Sequence, residues 1–229
     1  DRNFSNKHLV TRDIAKEYAK AMDKYNIKTI SKHFLSVGFN EEGDIHENEV
    51  INKSRINRRK HAGKTYEVMS EYIDGIMVSH TGNPSDLNRP YSLSSRSFQF
   101  MTLPRYPLSV DDNSAFLEER VVKDADVNHL AGLNIDCLVV VDDISMGPLV
   151  HYVKNEPLSS RGKRLVAGCD NYVEQAAVLA FDRGADVVVN IHEDLDAVVD
   201  AVAYAYRNDS LFKEKLDKAF INYEVFKSK

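Results

Sequence analysis

Residues 137–141, CLVVV, are apolar at every position, and the chain then turns at once to two adjacent carboxylates, Asp142 and Asp143. A strand with one wet face alternates apolar and polar side chains, whereas an unbroken apolar run implies a strand covered on both faces. The same signature recurs at residues 75–79 (GIMVS) and 185–191 (ADVVVNI), and in shorter form at 28–33 (KTISKH). Helical periodicity fills the intervals. It is clearest over residues 10–25, where Thr11 is placed to cap and Ile14, Tyr18, Ala21 and Met22 share one face. Further helices are predicted at 68–72, from Ser94, from Ile144, over 172–181 with Arg183 and Gly184 as the stop, and over 195–207 and 211–226. Buried strands alternating with helices are the pattern of an α/β protein with a parallel sheet covered by helices.

In such folds the working residues sit at the C-terminal ends of the strands. Side chains alternate along a strand, so only one of Asp142 and Asp143 can point into a pocket there. The other is placed to cap the helix expected from Ile144. The remaining strands also end on polar residues: Lys32 and His33, His80, and Asn190 with His192. Any one of these is ordinary for a strand meeting solvent; together they outline a pocket of Lys, His and Asp. A metal held by His33, His80, His192 and Asp142 is an alternative, but no His-x-His or HExxH spacing supports it.

Composition removes several other functions. With 30 Lys and Arg against 35 Asp and Glu, a net charge of −5 gives no general affinity for nucleic acid or an anionic membrane. No stretch approaches the ~18 apolar residues of a membrane span. Two cysteines, Cys137 and Cys169, are too few for a disulfide framework. The 229 residues suit a single domain, with polar or irregular insertions near 48–62 and 101–130. The first residues, DRNFSNKHLV, contain neither an initiator Met nor a signal-like apolar region. The compartment is left open, leaning to the cytoplasm.

The order of these segments resembles the family-three glycoside hydrolases, in particular the β-N-acetylhexosaminidase branch. LNIDCLVVVDDISM is similar to that family's GFDGVVVSDDLSM strand and turn, ISKHF to its AKHF strand end, and DGIMVSH to DAVMTAH. RPYSLSS resembles PATLSP, AAVLAFDRGADVVV resembles ALEAGADLVL, and the opening DRNF resembles an RSFG segment. The resemblance implies a (β/α)8 TIM-type barrel, of which this chain carries roughly the C-terminal half to two-thirds. It implies that Asp142 is the catalytic nucleophile, and that Arg2, Lys32, His33 and His80 bind the sugar. No cofactor is implied. The expected substrate is a glycan or muropeptide ending in β-linked N-acetylglucosamine.

Two departures from the family pattern stand out. After KHF the branch has PGHG and then an Asp-Ser-His acid/base dyad; here the chain reads KHFLSVGFNEEGDIHENEV. The PGHG turn is missing, yet Asp44-Ile45-His46 lies within about one residue of the dyad's place. Residues i and i+2 of an extended loop point the same way, so Asp44 could orient His46 and stabilise its imidazolium. The same stretch also resembles the β-glucosidase branch, KHFAAYG, which lacks that His. A relative that has lost catalysis and serves as a carbohydrate-binding or scaffold module is the alternative function. The second departure is at the start: the barrel strands that precede the Arg segment are absent. Either the sequence is a piece of a longer chain, or another chain supplies them.

Overall fold

The computed structural model of the protein describes residues 8–34, 65–66, 68–83, 86, 89–102, 137–191 and 194–228. Arg2, Asp44, His46 and His192 lie outside the described residues, as do the insertion near 48–62 and all but the first two residues of that near 101–130.

Helix α1 (His8–Asp23) leads into β1 (Ile30–Phe34). The helix starts earlier than a Thr11 cap would place it. Residues 65–66 and 68–69 are helical, 70–72 form a turn, and β2 (Gly75–Val78) follows. A small antiparallel ladder of β3 (Gly82–Asn83) and β4 (Arg89–Pro90) then carries the chain into a single 3-10 turn, Tyr91–Leu93, and α2 (Ser95–Thr102). After β5 (Leu138–Val141) come α3 (Gly147–Asn155), α4 (Ser160–Leu165) and α5 (Tyr172–Arg183). Last are β6 (Val187–Val188), α6 (Leu195–Asn208) and α7 (Ser210–Ser228).

The strands pair in parallel in the order β1-β2-β5-β6, with Ile76 beside Val139 and Val140 beside Val187. This is an α/β fold with a parallel sheet, consistent with part of a barrel. The described strands form an open sheet, with β1 and β6 outermost. β2 and β5, paired on both sides, are the most apolar, and Val139, Val140 and Val141 are almost inaccessible. β6 is shorter than residues 185–191 suggest, because it has a partner on one side only.

α5 covers the sheet with a face of small residues, Ala176, Ala177 and Ala180, which lets the helix approach closely. Its start is a reciprocal cap. Asn171 Oδ1 accepts from the N–H groups of Val173 and Glu174 at 2.9 and 3.0 Å, and Glu174 reaches back to Asn171 Nδ2 at 2.7 Å. Gly184, at φ 121°, ends it as the sequence predicts. Behind α5 a second cluster of Leu165, Val178, Ala201, Ala205 and Phe212 packs α4, α6 and α7. An ionic knot closes that layer: Arg161 bridges Asp182 and Asp209 at 2.9 Å each, and Lys215 joins Asp182 at 3.0 Å.

The helix expected from Ile144 begins instead at Gly147, with Ile144 and Ser145 in a turn. Pro148 explains the shift: proline lacks an N–H and is tolerated only in the first turn of a helix. Neither Asp142 nor Asp143 therefore caps α3, whose N-cap, Met146, makes no side-chain cap bond.

Candidate active site

Two carboxylates fasten the N-terminal edge of the sheet. Asp74 accepts the Thr29 N–H at 2.9 Å ahead of β1, and Asp186 accepts the Val139 N–H at 2.8 Å and the Asn222 amide at 2.7 Å. They tie neighbouring strands and α7 together. Their only sequence signal is an Asp directly before an apolar run.

The opposite edge is different in kind. Strand pairing continues past the ends of β2 and β5: the Ser79 N–H reaches Phe34 O at 2.8 Å and the Asp142 N–H reaches Val78 O at 3.2 Å. This lines up the residues after β1, β2 and β5. His33 and Asp142 come from strands flanking β2 and meet over its end, Nε2 to Oδ2 at 3.1 Å, with both side chains 19% exposed. Beneath them Phe34 is sealed edge-on between Tyr66 and Tyr91, ring centres 5.1 and 6.3 Å away. The Lys32–His33 peptide bond is cis.

Asp142 is the accessible carboxylate of the pair. Its Oδ1 accepts the N–H of Asp143 at 3.0 Å, and its Oδ2 faces His33. Burial pushes the carboxyl upward, but the hydrogen bonds from His33 and the Asp143 N–H, with the attraction of the imidazole, outweigh it and hold the group at about 2. Asp142 is therefore a half-buried, fully ionised carboxylate that keeps an open side.

Asp143 is buried and structural in its contacts. It accepts from the Ser145 N–H at 3.0 Å, from the Ser145 hydroxyl at 2.7 and 2.8 Å, and from the Ile191 N–H at 3.3 Å. These bonds stitch the turn after β5 to the segment after β6.

His80 lies deeper, 6% exposed, with both ring nitrogens engaged inside the protein: Nδ1 with Ser92 Oγ at 2.8 Å and Nε2 with the Asp143 carbonyl at 2.9 Å. Burial lowers its pKa. Lys32 is exposed on the outer strand β1, and Asn190 is half-buried beyond β6. The structure thus brings His33, His80, Asp142 and Asp143 to one edge. Ser92 was not legible as part of this group. It is twelve residues from His80 and reaches it because the Tyr91 and Ser92 N–H groups pair back onto Thr81 O and Ser79 O. Among the described residues no three His, Cys, Asp or Glu side chains converge as a metal site would require.

The fold is similar to that of CbsA from Thermotoga neapolitana (TM-score 0.65, 15% identity, covering 99% of this chain and 43% of that one). It is also similar to a β-N-acetylhexosaminidase from Beutenbergia cavernae DSM 12333 (0.59, 18%, 95% and 52%). A third likeness is to a β-glucoside phosphorylase, BglX (0.54, 16%, 99% and 35%). At such identities the likeness establishes the fold alone. The chain spans about half or less of the length of these structures. No family model and no curated protein matches the sequence.

Proposed function

We propose that this chain is the nucleophile-bearing part of a retaining glycoside hydrolase of family-three type, releasing terminal β-linked N-acetylglucosamine from a glycan or muropeptide. The observation that carries the reading is Asp142: an ionised carboxylate at the end of a buried strand, held from two sides and open on the third. The sequence resemblance supports it, as do neighbours whose names place them on β-linked sugars.

In this mechanism Asp142 Oδ attacks the anomeric carbon as the glycosidic C–O bond breaks, and an acid gives its proton to the departing oxygen. The covalent glycosyl ester is then attacked by water, whose proton returns to the same group acting as base. His46 is our candidate for that group, with Asp44 as its orienting partner; Lys32, His33 and Arg2 are candidates for the sugar hydroxyls. We take residues 1–229 as a single barrel domain whose preceding strands come from another segment or another chain.

An activated 2-deoxy-2-fluoro glycoside tests the central assignment, because the electron-poor sugar stalls as the covalent ester. Mass spectrometry should find the added sugar on the peptide containing Asp142. Label on Asp143, or a folded protein that takes no label and cleaves no aryl glycoside, would leave the non-catalytic binding module as the better account.

A further inference from the structure

We propose that Ser92 and His80 form a buried clamp that fixes the direction of the Asp142 carboxylate by gripping the next peptide of the chain. The proposal rests on the reading of Asp142 as the nucleophile. It makes Ser92 and His80 positioning residues, and it gives His80 a different task from the sugar contact that the sequence suggests.

The argument begins with donors and acceptors. A backbone carbonyl only accepts, so at 2.9 Å from Asp143 O the His80 Nε2 must carry a proton. Burial disfavours the charged ring, which leaves Nδ1 as a lone pair. The Ser92 hydroxyl, 2.8 Å away and fully buried, then donates to it. Without that hydroxyl the ring proton could move to Nδ1, and two lone pairs would face each other between Nε2 and the carbonyl. Ser92 therefore selects the tautomer that can hold the backbone.

What His80 holds is one side of a peptide group gripped on both sides. The carbonyl of Asp143 goes to His80, and the N–H of the same peptide, from Ile144, goes to Val189 O at 2.9 Å. The preceding peptide donates its N–H, from Asp143, to Asp142 Oδ1. The Asp142 N–H is itself paired with Val78 O. The backbone on either side of Asp142 is thus pinned by β2, by His80 and by the segment after β6, leaving the carboxylate one way to point. A misplacement of about 1 Å at a reacting atom can cost on the order of 10²-fold in rate. Nothing in the clamp touches the space in front of Asp142, so its loss should act on the chemical step rather than on binding.

Nitrogen-15 NMR of histidine-labelled protein reads the tautomer directly, with the His80 signals assigned by their absence in His80→Gln. The wild type should show protonated Nε2 and bare Nδ1 at neutral pH. Ser92→Ala should give a mixed tautomer and a kcat on an aryl glycoside lowered about 10- to 100-fold, with KM within about twofold. Ser92→Thr, which restores the hydroxyl, should recover the wild-type tautomer and most of the kcat. A wild-type ring protonated on Nδ1 would overturn the clamp whatever the activity, and so would Ser92→Ala with the wild-type tautomer and kcat. A wild type with the expected tautomer that cleaves no glycoside would support the clamp and refute the reading of Asp142, so the two failures stay separate.

Discussion

Substituting each member of the Asp142 and Asp143 pair separates nucleophile from brace, and the structure sets the expected size of each effect. Asp142 is shifted from 3.8 to about 2 with its side chain 19% exposed. At about 1.4 kcal/mol per unit, neutralising it in Asp142→Asn should cost roughly 2 kcal/mol of stability. The sign follows from the depressed value. The contribution is complete above about pH 4 and is lost as pH falls through about 2, so the gap between wild type and Asp142→Asn should narrow on acidification. Asp143 makes bonds of the charge-assisted kind, each worth about 1.5–3 kcal/mol when fully buried. Ile191 is 64% exposed, so water can take over its N–H, and only the Ser145 bonds should be lost in full. Asp143→Ala should therefore also cost about 2 kcal/mol.

Stability alone cannot tell these variants apart; chemistry can. Loss of the nucleophile should lower turnover by on the order of 10⁴-fold or more, whereas loss of the brace leaves a working carboxylate that is less well aimed. Urea denaturation followed by circular dichroism gives the first quantity, and hydrolysis of an aryl glycoside per mole of folded protein gives the second. Azide should rescue Asp142→Ala, entering the vacated space to form the α-glycosyl azide, and should do nothing for Asp143→Ala. Rescue of Asp143→Ala, or an Asp142→Ala protein that turns over at the wild-type rate, would refute the assignment.

Asp182 should be the most sensitive residue of the outer helix layer. Asp182→Ala leaves Arg161 its bond to Asp209 and leaves Lys215 35% exposed, so the loss in urea should be about 2–3 kcal/mol, below the 3–5 of a fully buried pair. Stability should also fall as pH drops below 6.5, because the unfolded chain protonates His80 and the folded one resists; His80→Gln should remove that part of the slope. The described residues leave Leu9, Val10, Ile14 and Tyr18 exposed on α1 beside the outer strand β1, with Ile191, Leu195 and Val199 exposed beyond β6. These 229 residues alone should self-associate in analytical ultracentrifugation, and a monodisperse monomer would contradict the expectation.

How much of this was legible in the sequence depended on whether a signal was local. The runs at β2 and β5 declared parallel pairing because both faces of each strand are covered. Gly184 and the terminal helices were plain for the same local reasons of turn and period. The start of α3 was misread because a periodicity beginning at Ile144 outweighed Pro148, whose missing N–H should have decided the question. Asp142 could be found as a charge closing a buried strand. Ser92 could not, since its hydroxyl meets His80 only after the β3–β4 ladder folds the chain back, and no periodicity encodes that return. Three of the proposed site residues, Arg2, Asp44 and His46, lie outside the described residues, and for these the sequence resemblance is the whole case.

Two aspartates at opposite edges of one sheet show what makes Asp142 chemical rather than structural. Asp186 and Asp142 are both half-buried, and burial pushes both carboxyls upward. Asp186 is met by neutral donors, the Val139 N–H and the Asn222 amide, which only partly offset burial, so its pKa stays raised. Asp142 is met by an imidazole as well as a backbone N–H, and its pKa falls to about 2. A raised carboxyl suits a tie between strands, because its hold on two donors does not depend on attracting a cation. A lowered one suits attack on carbon, because it stays ionised with one side uncovered. Asn222→Leu should therefore push Asp186 higher still, by removing one of its two donors, and leave Asp142 unmoved. Carbon-13 titration of the aspartate carboxyls reads both at once. A shift at Asp142, or none at Asp186, would mean that the two edges are not electrostatically independent, and the division between fastening edge and reactive edge would fail with it.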